Sequence, residues 1–445
     1  MFTRFRSMPA TALAAVLGCA LMATAAVPAA AQDKPKKEKK GKKEEEAAKG
    51  QIAITPSKAF NPIVQKIQTA ANAKDAAALQ AALAEGEPQA TTPEDKYWVG
   101  HFTLQLGILN KDKPTQGRGL EAMLASGKTP PESAALYNFY TGSFAYDDKN
   151  YPKAIERLEA ARAGGSKEAQ LPTLLMDSYL ASGQVDKGIV LAKEAIEATR
   201  AAGQRPSDEL YVRPIRALQA ANRNEEVLDM MTLRMRDYPQ PQVWRQTLFI
   251  LLQQSGENKD VALDTLRLMR ATNSMLQRPE YLEYAALATE AALPGEVVSV
   301  IKAGKTAKVI PDKDTKFDEI AKAQGDRIGD EESTLTAYAA KPTTLSDPKR
   351  AGATGDVMVG YGRYADAVKL YDAALAAGGD KELWTYRKGV AQALAGDGAG
   401  AKASLATITG SRKRLAQLWL VKIDAPAVAP VAAAPAPAAA PATSN

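Results

Sequence analysis

Apolar residues recur along most of this chain at the three- and four-residue spacing of amphipathic helices, and no segment alternates with the period of two that marks a half-buried strand. Short breaks carrying Gly, Asn or Pro divide the helical stretches, as at Gly164-Gly165, Gly183, Asn222, Gly256 and Gly362. The pattern predicts an all-α body over residues 56–423, opened by the helical pair Pro62–Asn72 and Lys74–Glu85.

The helical stretches repeat. In GSFAYDDKNYPKAIERLEAA, Gly142 is followed by Ala154, Leu158 and Ala161; at the same offsets Gly355 is followed by Ala367, Tyr371 and Ala374, and Gly389 by Ala401, Leu405 and Ile408. A small or β-branched residue opens each second helix: Gly119, Ala154, Gly188, Val227, Ala262, Val297, Ala367 and Ala401, at steps of 35, 34, 39, 35, 35, 70 and 34 residues. The step of 39 contains the extra loop RAAGQRPSD, and the step of 70 predicts a degraded unit around Glu332. A small residue at that place lets the two helices of a hairpin approach closely.

This pattern resembles the tetratricopeptide repeat (TPR) family, whose repeat of about 34 residues forms a helical hairpin. The resemblance covers residues 58–422 and is strongest at 132–163 and 350–409; the family tryptophan is missing from most units, and the closing proline stands only at places such as Pro239 and Pro311. It implies a right-handed superhelical solenoid of about nine to ten stacked hairpins. The last segment, RKRLAQLWLVK from Arg412, has no partner in the repeat and is expected to cap an open apolar end.

The ends differ from the body. Arg4 and Arg6, an apolar stretch from Ala10 to Val27 and Ala29-Ala30-Ala31 read as a signal peptide over residues 1–31, leaving a mature start near Gln32 and a periplasmic or secreted protein. Val16-Leu17-Gly18-Cys19 is similar to a bacterial lipobox, so the alternative is a lipid-anchored accessory subunit of an outer-membrane assembly or export complex, with membrane association only if Cys19 is lipidated. Residues 32–55 are expected to form a charged, disordered linker, with thirteen charges between positions 33 and 49. Residues 424–445, rich in Pro and Ala, are expected to form a disordered tail.

Charge is placed unevenly. The net charge of +6 divides into +2 over residues 1–31, +3 over 32–49 and +1 over the remainder, which holds 47 basic and 46 acidic residues. A near-neutral body lacks the basic face that draws nucleic acid, and no nucleic-acid partner is expected.

Catalytic chemistry finds little to work with in one histidine and one cysteine, the latter in the leader. No catalytic, cofactor-binding or metal-binding residue is assigned, no cofactor is expected, and the protein is read as a non-enzyme. Gly304-Lys305-Thr306 imitates the end of a phosphate loop, but Ser299 stands where the earlier glycine is needed. Gly360-Tyr361-Gly362-Arg363-Tyr364-Ala365 imitates a dinucleotide fingerprint, but the repeat explains the same glycines as a turn between paired helices. The resemblance instead implies a scaffold that holds a protein or peptide in the concave groove formed by its first helices. By repeat register the groove candidates are His101, Phe139, Tyr140, Tyr146, Tyr211, Arg213 and Arg216, each aromatic also being able to serve as packing between repeats.

Overall fold

The structure, a computed structural model, describes residues 54–425 and, within them, every side chain but those of residues 330–333. The signal peptide, Cys19 and nearly all of both predicted end segments lie outside the described residues. Among those described there are twenty-one α-helices, one short 3-10 turn and no strand. The chain divides into two compact units, ending and beginning at Pro206 and Ser207.

The first unit holds four helical hairpins: α1 (Asn61–Asn72) with α2 (Ala76–Gly86), α3 (Pro93–Leu109) with α4 (Lys113–Ala125), α5 (Pro131–Asp147) with α6 (Tyr151–Ala163), and α7 (Leu171–Ala181) with α8 (Val185–Ala201). Side-chain caps define the starts of several helices. Asp75 accepts from the Ala78 amide, Asn150 from the Lys153 amide, and Thr92 forms a reciprocal capping box with Asp95 at the head of α3. Asp95 also accepts from the Ser57 amide at 2.7 Å, tying the entering chain to α3. Turns within the hairpins end in a left-handed residue, glycine at Gly183 (φ 80°) and asparagine at Asn222 (φ 57°), as the sequence predicts. Lysine takes the same conformation at Lys74, Lys111 and Lys149.

The predicted anchor positions lie where paired helices touch. Ala154, Val297, Ala367 and Ala401 are fully buried, and Val227 and Ala262 nearly so. At the α3–α4 crossing the contact is backbone to backbone: a methyl group on Gly119 would sit 2.7 Å from the Gly100 carbonyl oxygen, and one on Gly107 would sit 2.5 Å from the Gln116 amide nitrogen. Gly119→Ala is therefore expected to destabilise the first unit by about 1–3 kcal/mol. Gly117→Ala on the same helix, whose nearest neighbour is Phe144 at 3.5 Å, is expected to be neutral or to stabilise by up to ~1 kcal/mol. Urea denaturation of the two variants checks the pair, and equal effects would mean that the crossing is looser than its geometry.

The second unit begins with three regular hairpins: α9 (Glu209–Ala220) with α10 (Asn224–Asp237), α11 (Pro241–Gln254) with α12 (Lys259–Ala271), and α13 (Arg278–Glu290) with α14 (Pro294–Thr306). The expected degraded unit is one 25-residue helix, α15 (Thr315–Ala339), followed by the single turn α16 (Pro342–Leu345). With no full second helix in that unit, α17 (Pro348–Gly360) packs directly on α14, bringing Gly360 against Glu296 and Gly295 against the Tyr361 ring. The hairpin α17 with α18 (Tyr364–Ala376) is followed by α19 (Lys381–Ala395) with α20 (Gly398–Leu405) and by α21 (Lys413–Asp424).

The last helix caps the second unit, as expected, and reaches beyond its neighbouring hairpin. α21 does have partners: it packs against α10, α12, α19 and α20, so the second unit closes on its own first hairpins. Leu415, Leu418 and Trp419 enter one core with Leu228 of α10 and Leu266 of α12. Its basic residues face protein as well. Arg412 reaches Asp264, and Arg414 donates to Asp229 and Glu225 at 2.6 and 2.9 Å. Enclosed in this way, α12 is buried at every position from Ala262 to Met269, where a one-sided repeat helix would bury only a stripe.

Candidate functional site

The seven groove candidates occupy different environments. His101 of α3 is buried among aromatic rings, stacked at 20° to Tyr97 and edge-on to Trp98 and Phe102, with Nε2 3.0 Å from Gln105 Nε2. Burial lowers its pKa to about 4, so the ring is neutral at physiological pH. Phe139 and Tyr140 of α5 are buried edge to face, their ring centres 5.4 Å apart. Tyr211 of α9 is fully buried and its hydroxyl donates to Asp237. Tyr146 is half-buried beside Tyr151, and Arg213 is half-buried with its Nε 2.9 Å from Glu209. Arg216 is exposed. Candidates on a shared helix are brought together (Phe139, Tyr140 and Tyr146 on α5; Tyr211, Arg213 and Arg216 on α9), but solvent reaches mainly Tyr146, Arg213 and Arg216.

The next first helix, α11, also carries a solvent-reaching arginine and aromatic residue. On α11, the Arg245 guanidinium lies 5.5 Å from the centre of the Phe249 ring while its Nε donates to Glu280. Phe249 is 39% exposed. The repeat register did not single out Arg245 or Phe249. An aromatic residue in WRQTLFILL that falls outside the apolar stripe was the available signal.

The densest polar chemistry lies inside the second unit, at residues the sequence reading passed over. Arg267 of α12 donates through Nε and Nη2 to the two oxygens of Glu296 on α14, both at 2.8 Å, and through Nη1 to Asp264 at 3.1 Å. Arg412 donates to the other Asp264 oxygen at 2.7 Å. Arg387 of α19 donates to Asp356 of α17 and, at 3.2 Å, to Asp260 at the rim. Tyr371 and Tyr284 donate to Asp356 and Glu296 at 2.7 and 2.6 Å.

Three guanidiniums thus face three buried carboxylates. Burial alone would raise all three carboxyl pKa values. At Asp264 the surrounding Arg387, Arg267 and Arg412 outweigh it, and at Glu296 the facing Arg267 does, so both are held below the ordinary range. At Asp356 burial wins over Arg387 and Arg267, and its carboxyl is pushed up. A small pocket beside this network is lined by Asp264, Arg267, Val359, Tyr371, Tyr386, Arg387 and Val390. The buried Tyr386 hydroxyl faces the Trp419 indole. With each carboxylate tied to a guanidinium, the arrangement holds α12, α14, α17, α19 and α21 in register and offers no free base. The signal in the sequence was charge inside an apolar run, as in ALDTLRLM and GDVMVG.

Both phosphate-loop look-alikes resolve into repeat structure. Gly304, Lys305 and Thr306 close helix α14, and Gly360 to Gly362 form the α17–α18 turn, with Gly362 left-handed (φ 73°). Among the described residues no group of three His, Cys, Asp or Glu side chains is placed to hold a metal ion, and no helix is long and apolar enough to cross a membrane.

No protein-family profile and no curated protein matches the sequence. Among solved structures, the chain is similar to the Naa15/Naa10 complex bound to HypK, at 12% identity over 80% of this chain and 63% of that one, with a TM-score of 0.34. It is also similar to the maize pentatricopeptide repeat protein PPR10, at 11% identity over 94% and 66% of the two chains and a TM-score of 0.26. A third similarity is to the quorum sensor NprR from B. thuringiensis, at 14% identity over 71% and 98% and a TM-score of 0.25. The chain spans less than two thirds of the length of the first of these. Its own hairpins, from α1–α2 to α19–α20, make the fold a TPR-like helical repeat.

Proposed function

We propose that this chain is an exported bacterial helical-repeat scaffold, periplasmic or secreted after removal of residues 1–31, that binds a protein or peptide and catalyses no reaction. The observation that carries this reading is the set of solvent-reaching side chains on the first helices α9 and α11, where Arg216 and Phe249 are exposed and Arg213 and Arg245 are half-buried and paired with Glu209 and Glu280. Arginine and aromatic side chains are enriched at protein interfaces. Tyr146 of α5 is the corresponding solvent-reaching candidate in the first unit.

Capture from periplasmic extract tests the reading. Partners bound by the full chain are expected to be lost with the double variant Arg216→Glu, Phe249→Ala, and to be retained by a chain trimmed to residues 56–423. Loss on trimming alone would move binding to the end segments. The intact mass of the native protein decides its start: a chain beginning near Gln32 fits cleavage after Ala31, whereas an acylated Cys19 at the N-terminus supports the membrane-anchored alternative.

A further inference from the structure

We propose that the second unit is a hinged clamp: α9–α14 form one lobe, α17–α21 the other, α15 is the hinge, and the buried charge network is the clasp. The division follows the chain, because the two lobes are joined covalently only through α15 and the single turn α16. They meet at three places. α17 lies on α14, α21 lies on α10 and α12, and Arg387 of α19 reaches Asp260 of α12.

Charge is distributed across this contact in a complementary way. In the first lobe Asp264 and Glu296 outnumber Arg267, giving −1; in the second, Arg387 and Arg412 outnumber Asp356, giving +1. Arg414 adds a partly exposed pair of bonds to Asp229 and Glu225 at the edge. Buried ion pairs give little net stability against the hydrated state, yet they fix register when formed. A contact centred on them closes in one orientation and reopens into water more readily than an apolar seam. Leu415, Leu418 and Trp419, with Tyr386 and Val390 of α19, share one apolar core with the first lobe.

The hinge has its own signature. Gly325 and Gly329 stand inside the 25-residue helix α15, and a side chain at either would meet nothing within 4 Å. Packing therefore does not require glycine there, whereas the glycines at helix crossings in this protein are pressed against a neighbour. Two glycines one turn apart in an otherwise continuous helix weaken it at one place, and that place lies between the lobes.

Pulsed electron-spin distance measurement on the full chain tests the clamp, with Cys19→Ser and spin labels on exposed positions of the two lobes (Gln242→Cys in α11 and Ala403→Cys in α20). The parent is expected to show a main distance and a minor longer one. Arg414→Glu, which faces two acids, is expected to raise the longer population by about threefold or more, and Gly325→Ala with Gly329→Ala to lower it by a similar factor. A reference pair inside the first lobe, Gln242→Cys with Glu283→Cys, is expected to keep one distance throughout. A single inter-lobe distance in all three proteins overturns the clamp. So does broadening of the reference pair along with the inter-lobe pair in Arg414→Glu, since the unit then loosens as one body. No response to the alanine pair overturns α15 as the hinge.

Discussion

Asp264→Ala is expected to destabilise the second unit by about 3–5 kcal/mol, the cost of leaving buried charge without its partner. Asp264 is 1% exposed and faces Arg267, Arg412 and Arg387, the last with its Nε 3.8 Å away. Removing the carboxylate leaves +3 against −2 among buried groups, and alanine offers none of these guanidiniums an acceptor. Asp264→Asn, which keeps the shape and one acceptor oxygen but not the charge, is expected to fall between alanine and the parent. Arg216→Ala, at an exposed position, is expected to stay within ~0.5 kcal/mol of the parent. Urea denaturation followed by far-ultraviolet circular dichroism ranks the four proteins. A loss below ~1 kcal/mol for Asp264→Ala would show that water already reaches the guanidiniums.

Acidification is expected to weaken the first unit between about pH 6.5 and 4, by roughly 3 kcal/mol through His101. The folded ring has its pKa lowered from 6.5 to about 4 by burial, so in this window the unfolded chain takes up a proton that the folded one refuses. Stability is therefore complete above the unfolded value and is lost as pH falls toward the folded one. Asp95, whose carboxyl is held low by the Ser57 and Thr92 bonds against the opposing effect of burial, acts only below the ordinary range of an aspartate, outside the histidine window. His101→Phe keeps the packing against Tyr97, Trp98 and Phe102 and is expected to flatten the dependence between pH 6.5 and 4. Thermal unfolding across that range measures it. An unchanged slope in His101→Phe would place the titrating group elsewhere.

The repeat was legible because each hairpin is specified within its own stretch of chain. The anchors from Gly119 to Ala401 lie at helix contacts, and the first predicted pair of helices, Pro62–Asn72 and Lys74–Glu85, is found as Asn61–Asn72 and Ala76–Gly86. The proposed binding residues were legible only in part. Register places a residue on a helix, but not on the solvent side of it: Phe139, Tyr140, Tyr211 and His101 sit on first helices as expected and are buried there, whereas Phe249 stays exposed on a helix whose register gave no reason to choose it.

What the sequence by itself determined was local: helix periods, caps, left-handed turns, and the small residues that let paired helices touch, all within about 35 residues of one another. Only the tertiary structure decided how the second unit ends. The bonds from Arg412 to Asp264 and from Arg414 to Glu225 join residues 148 and 189 positions apart, and the Arg387 bond to Asp260 spans 127. No repeat period encodes such distances, since they depend on the summed curvature of many hairpins and on the step at α15, where one long helix replaces a hairpin and lets α17 reach α14. Basic residues on a terminal helix, such as Arg412 and Arg414, are ordinarily cheapest in water. Folding places three carboxylates opposite three guanidiniums in one interior, where charge is tolerated because each group arrives with its counter-charge.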